Sequence, residues 1–306
     1  MHHLVANGGT LKPLFQRAIM MSPAFESMYV PEKLENTYKR FAKSAGCKDF
    51  DIACLRTKTE QELSQANQAV VLSAPPRFFG WGPAVDHTYI RDLPAIEIRK
   101  GNYWRKTAVL VGHTSDEGSV FVDPAITTNE QVNTLFDDNF PSVNQTTRDQ
   151  LVSYYPPAPV PGRYTTEFDR VSNLIGEWAI SCNARYLAQA YNGMTYSYQY
   201  SIPPGLHGQD LALAFWRPEL NLPTLEPYGI VFQSYLTSFV RSGNPNTYRE
   251  KGTTPKSIEF PKTKVGKNIK VLDINLPGFS EVTDKHVPKD RCAWWQSGVW
   301  RGKDAS

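Results

Sequence analysis

The sequence predicts an α/β architecture built around a mainly parallel sheet. Short apolar or tyrosine-rich runs recur along the chain, as in FQRAIMM, TAVLVG and TYSYQY, and longer amphipathic segments fall between them. Alternation of this kind supplies the crossover connections that parallel strands require. A length of 306 residues, with 41% apolar and 21% charged side chains, also allows a large buried core. No linker, repeat or low-complexity tract interrupts it, so residues 1–306 are expected to form one domain.

Each element has a local reason. Phe15 to Met21 reads as a short buried strand. Pro31 to Ala45 reads as a helix, with proline where the first turn tolerates a missing N–H. Thr59 and Glu62 have capping-box spacing and open another helix. Thr107 to Gly112 is apolar enough for a strand buried on both faces. From Thr166 to Ala190, Phe168, Val171, Ile175, Trp178, Cys182 and Tyr186 recur at three- and four-residue spacing, the pattern of one long amphipathic helix. Thr195 to Tyr200 alternates as a strand. Tyr228 to Ser242 reads as a helix stopped by Gly243, with Pro245 following. Asn268 to Ile274 is a late strand. Many of the 23 prolines lie in loops such as YYPPAPVPG.

Several function classes are excluded. The net charge is only +3 and Lys and Arg are scattered, so no nucleic-acid surface is expected. No apolar run approaches the roughly 18 residues that span a bilayer. MHHLVANGG lacks the charged and apolar regions of a secretion signal. No metal-ligand cluster, phosphate loop or dinucleotide fingerprint occurs, so neither metal nor cofactor is expected. The four cysteines allow three pairings, or four reduced thiols in a reducing compartment. Asn144-Gln145-Thr146 is a glycosylation acceptor tripeptide.

Two loops carry candidate chemistry. The strand TAVLVG runs into HTSDEG, which sets Glu117 at a strand's C-terminal end, where open α/β sheets collect functional groups. The strand TYSYQY leads to GLHGQD, which sets His207 between Gly205 and Gly208. Taken alone, the first reads as a solvated turn and the second as a surface histidine. Their order is more telling: an acid and then a histidine on successive strand ends is the tail of the order Ser…Asp/Glu…His.

With these residues the chain resembles the type B carboxylesterase and lipase family, which includes fungal lipases and the cholinesterases. Asp116, Glu117 and Gly118 resemble the family's acid loop. Trp81, Gly82, Pro83 and Asp86 resemble its upstream W/F-G-P-x-x-D pattern. His207, Gly208, Asp210 and Leu211 resemble its histidine loop. Phe239, Ser242, Gly243, Asn244, Pro245 and Asn246 resemble the end of its late helix, and LFQRAIMMSPAF resembles the strand after its nucleophile helix. The resemblance implies an α/β-hydrolase fold, a carboxylic ester hydrolase and a small-molecule or lipid ester substrate. It makes Glu117 the triad acid and His207 the general base. It also implies disulfides Cys47–Cys54 and Cys182–Cys292, and a secreted parent protein. His87, His113 and His286 are left as structural or surface residues.

The family's G-x-S-x-G elbow and its HGGG-type oxyanion loop do not occur in these 306 residues. MHHLVANGG resembles the later turns of the family's nucleophile helix, so the resemblance places the serine upstream of Met1, in an N-terminally truncated domain. Strands that would pair with FQRAIMM are expected to lie upstream too. Ser22, Ser115 and Ser119 have no elbow context and are not expected to replace the nucleophile. Two other readings are a non-catalytic, cholinesterase-like binding protein and an inactive fragment; intact Glu117 and His207 argue against the former. Phe78, Phe79, Trp81 and Trp216 are candidates for an apolar pocket, although core packing is the commoner role of aromatics. The sequence assigns neither an ester nor an oligomeric state.

Overall fold

The computed structural model describes residues 1–24, 31–48, 50–74, 80–140, 142–220, 222–264, 266 and 269–301. Phe78, Phe79 and Asn268 lie outside them. Two compact units are present: Met1–Ala24 with Pro94–Ser306, and Phe25–Leu93.

The larger unit holds five strands in the order β1 (Arg17–Met21), β2 (Ala108–Thr114), β3 (Thr195–Tyr200), β4 (Lys270–Ile274) and β5 (Phe279–Thr283). The first four run parallel, as the alternating pattern predicts, and β5 returns antiparallel beside β4. The expected strands fall within a few residues of β1 to β4. β5 carries no clear strand signal in the sequence, because FSEVT is short and half polar. Only alternate residues of this edge strand need to face the core.

Helices α1 (His2–Gly9), α5 (Pro94–Lys100), α6 (Asn129–Asn139), α7 (Gln145–Tyr154), α8 (Glu167–Ile175), α9 (Cys182–Ala190), α10 (Leu211–Ala214), α11 (Glu226–Ser242) and α12 (Lys289–Ser297) belong to this unit. The long helix expected from Thr166 to Ala190 is α8 and α9, joined by a π-helical segment over Gly176–Ser181. Thr166 caps α8 in a box closed by Asp169, and Gly243 ends α11 in the left-handed region at φ 78°. Every residue of β3 is buried. Tyr196, Tyr198 and Tyr200 alternate onto one face, where they join Phe232, Tyr235 and Phe239 of α11 and Phe260 in one core cluster. Tyr198 meets Phe232 edge to face with centroids 5.0 Å apart. Cys182, at the start of α9, is bonded to Cys292 of α12.

The smaller unit contains α2 (Pro31–Ser44), α3 (Ile52–Arg56) and α4 (Glu60–Leu72). Ala42, Ala45, Leu55 and Ala66 form its core beside the Cys47–Cys54 disulfide. The Thr59–Glu62 capping box is present. Trp81 packs edge to face on Phe41 with centroids 5.6 Å apart. Asp86 accepts the N–H groups of Thr88 and Ile90, both at 2.9 Å, so its carboxylate serves a local turn.

Among the described residues, no helix is long and apolar enough to cross a membrane, and no group of three or more His, Cys, Asp and Glu side chains is arranged to hold a metal ion.

Candidate active site

Strand register brings the acid and the histidine together. Thr114 pairs with Tyr200 at the ends of β2 and β3. The parallel ladder then continues past both strands: the N–H of Ser115 donates to the Tyr200 carbonyl, and that of Asp116 to the Gly205 carbonyl, each at 2.8 Å. A parallel bridge joins Asp116 to Leu206. Glu117 and His207 are the next residue on each side. Although 90 positions apart in sequence, Glu117 Oε2 and His207 Nδ1 stand 2.5 Å apart.

Two glycines permit this approach. A methyl group on Gly205 (φ 72°) would meet Ser115 Oγ at 2.1 Å, and one on Gly118 would meet the Ser172 carbonyl oxygen of α8 at 1.9 Å. Gly118 itself has an ordinary φ of −93°. It is therefore needed for close approach to α8, rather than for the backbone freedom that a turn glycine suggests in the sequence.

Glu117 is 4% exposed, and every hydrogen-bond partner it has among the described residues is a donor. Its Oε1 accepts the Ser22 hydroxyl and the Thr114 N–H, both at 2.6 Å, while Oε2 faces His207. Burial alone would raise its pKa. The bonds from His207 and Ser22, the charge of His113 and the Thr114 N–H outweigh burial and hold it below the usual carboxylate value. An ionised acid fixes the histidine tautomer: Nδ1–H donates to Glu117, and Nε2 keeps the lone pair that a base needs. Glu117's hydrogen bond raises the affinity of His207 for a proton; partial burial opposes this, and the charges of Glu117 and Asp210 add to it. The imidazole is partly exposed and lies against the Phe121 ring, with centroids 5.2 Å apart.

The histidine loop has its own anchor. Tyr198, on β3, donates its phenol to Asp210 Oδ2 at 2.6 Å, and both are buried. Burial first, and the Glu117 charge in addition, raise the Asp210 carboxyl above its ordinary value.

Ser22 gains a contact that its sequence context did not reveal. It directly follows β1, its N–H extends the ladder to the Gly112 carbonyl at 2.8 Å, and its backbone has φ 46°. The signal was its place beyond a strand end. Its proton is committed to Glu117, which is not the geometry of a nucleophile facing a base. Among the described residues, none of Ser22, Ser115 and Ser119 hydrogen-bonds His207. Trp216 packs beside Gly229 of α11. Exposed Asn144 caps α7, accepting the Thr147 N–H at 2.9 Å. His87 is exposed with φ 58°, whereas His113 is buried.

A cavity of about 510 Å³ is lined by Glu117, Asp116, Ser172, Asp169, Glu177 and His286 among others, but not by His207. It lies beside the acid, and the imidazole of His207 does not line it.

A largely parallel sheet that presents an acid and a histidine from adjacent strand ends defines the α/β-hydrolase class. The sequence model of the Carboxylesterase family matches residues 2–295, and the chain belongs to that family. It is 32% identical to a "Secreted lipase" of Arthroderma benhamiae, an alignment covering 96% of this chain and 57% of that protein. It is 28% identical to "Carboxylesterase patB" of Aspergillus clavatus, over 96% of this chain and 51% of the relative. The crystal structure of Aspergillus niger EstA superposes with a TM-score of 0.75 at 23% identity, covering 98% of this chain and 62% of the other, and shows the shared fold. The chain thus spans about half the length of the curated relatives it matches.

Proposed function

We propose that this chain supplies the acid and the base of a Ser-Glu-His carboxylic ester hydrolase, and that the serine and oxyanion donors belong to polypeptide upstream of Met1. One observation carries the reading: the 2.5 Å contact between buried Glu117 and the Nδ1 of His207. In such a triad, His207 Nε2 takes the serine proton as the hydroxyl attacks the ester carbonyl, then returns it to the departing alcohol. Glu117 holds the ring in the correct tautomer and stabilises the imidazolium between those steps.

The substrate class is a carboxylic ester, either a small molecule or a lipid, in keeping with the names of the fungal relatives. The two disulfides, the Asn144 acceptor and the secreted relative support a parent protein of the secretory route.

The test is release of p-nitrophenol from a short-chain ester by a form extended upstream through a G-x-S-x-G elbow. His207→Ala is expected to lower turnover by about 10⁶ and Glu117→Gln by about 10⁴. The 306-residue chain alone is expected to stay near background. Rapid hydrolysis by that chain, abolished in His207→Ala, would show that one of its own serines is the nucleophile.

A further inference from the structure

His113, near the end of β2, is 1% exposed. Its Nδ1 lies 2.8 Å from the Thr114 carbonyl oxygen, and its Nε2 lies 2.8 Å from Oδ2 of Asp284, which follows β5. A carbonyl oxygen only accepts, so Nδ1 carries a proton. Asp284 Oδ1 accepts the His286 N–H at 2.9 Å, and Asp284 lies within the electrostatic reach of Arg185 on α9. Both contacts favour the carboxylate, so Nε2 carries a proton as well. With two protonated nitrogens, His113 is an imidazolium buried against its counter-ion. The second imidazole here, His286, stands edge-on to His113 with centroids 5.9 Å away, and Glu117 lies within electrostatic reach as well. Burial, and then the His113 charge, keep the proton affinity of His286 low.

Thr114 links this pair to the site. Its carbonyl receives the His113 proton, and its N–H holds Glu117 Oε1 at 2.6 Å. We propose that the His113–Asp284 ion pair is a positioning element for the Glu117–His207 couple, anchoring the Thr114 turn and setting a fixed positive charge beside the acid. The proposal rests on reading Glu117 as the triad acid. That acid must stay anionic and in place while the imidazolium forms, and a buried cation favours the anion without offering it a proton-transfer route. The other influences agree. Burial opposes the charge on His113, but the Asp284 charge and hydrogen bond raise its pKa to about 9, and the His113 charge helps keep Glu117 ionised.

The experiment is side-chain NMR on the 306-residue chain with ¹⁵N-labelled histidine, titrated from about pH 5 to pH 10. His113 is expected to show two ring protons at neutral pH. The Nδ1 proton of His207 is expected to show an inflection at the His113 midpoint. A single ring proton on His113 at neutral pH, or no such inflection, overturns the proposal without any variant. The second arm is His113→Phe with Asp284→Leu, which removes the pair without leaving a lone buried charge. With near-ultraviolet dichroism and both disulfides retained, the His207 Nδ1 proton signal should be lost, or should vanish at a higher pH on the acid side. A signal that titrates as in the parent also overturns it. These spectra need no turnover, so they fail separately from the triad reading, which fails if the extended enzyme keeps its esterase activity after His207→Ala.

Discussion

Glu117 holds its place because three donors converge on one buried carboxylate and because the residue after it has no side chain. Replacing Gly118 with alanine puts a methyl group 1.9 Å from the Ser172 carbonyl oxygen, so either α8 or the acid loop must move. Overpacking of this kind costs about 1–3 kcal/mol. The Gly118→Ala variant should therefore show a lower guanidinium midpoint together with a weakened His207 Nδ1 proton signal; unchanged values of both would contradict the close-approach argument. At this scale the sequence was partly legible. Glu117 and His207 stood out because loop residues after strands, in that order, match a known chemical sequence. Ser22 and His113 did not, because their partners lie 95 and 171 positions away and no local pattern encodes such contacts.

Element boundaries follow local chemistry closely. The capping boxes at Thr59 and Thr166 open their helices, and the left-handed Gly243 stops α11, where the sequence says. The π-helical segment from Gly176 to Ser181 has no comparable signature, since the three- and four-residue apolar spacing runs straight through it. Two predictions belong here. Tyr198→Phe removes the donor that ties β3 to the histidine loop and leaves buried Asp210 without that bond, at a cost of about 1–3 kcal/mol in chemical denaturation. Reduction of Cys182–Cys292, which joins α9 to α12 across 110 positions, should cost about 4–5 kcal/mol by the chain-entropy relation, against about 2–3 kcal/mol for Cys47–Cys54 across seven. Paired Cys→Ala variants and guanidinium unfolding measure both; equal losses would show that loop length does not govern them.

For the whole molecule, the buried titrating pairs define a pH window. The folded pKa of His113 lies at about 9, above the ordinary 6.5, so its pairing contributes fully below pH 6.5 and is lost as the pH climbs toward 9. His207 is raised as well and adds to the alkaline decline. Glu117 and Asp284 are lowered from 4.5 and 3.8, so their pairing is complete above those values and is lost as acid drives the pH through their folded values. The contribution of these two pairs to the unfolding free energy should therefore be greatest between about pH 4.5 and 6.5 and fall toward pH 9. Removing the pair by His113→Phe with Asp284→Leu should flatten the alkaline limb. Guanidinium midpoints measured across the range check this, and an alkaline limb of the same slope in the variant would assign the decline to other groups.

The sequence by itself determined the α/β class, the order of the main elements, the carboxylesterase-like motifs and the two loop residues, Glu117 and His207, that meet in the fold. Those features are local: periodicity, caps, stop signals and short loop motifs act within a few residues. Only the tertiary structure decided what surrounds the pair. The β2–β3 register carries Glu117 and His207 to within hydrogen-bond distance, the ends of β1 and β5 deliver Ser22 and Asp284, and α8 approaches so closely that only glycine fits at position 118. These contacts join segments that are remote along the chain. They are settled when the sheet closes its ladders and buries polar groups that must then find partners.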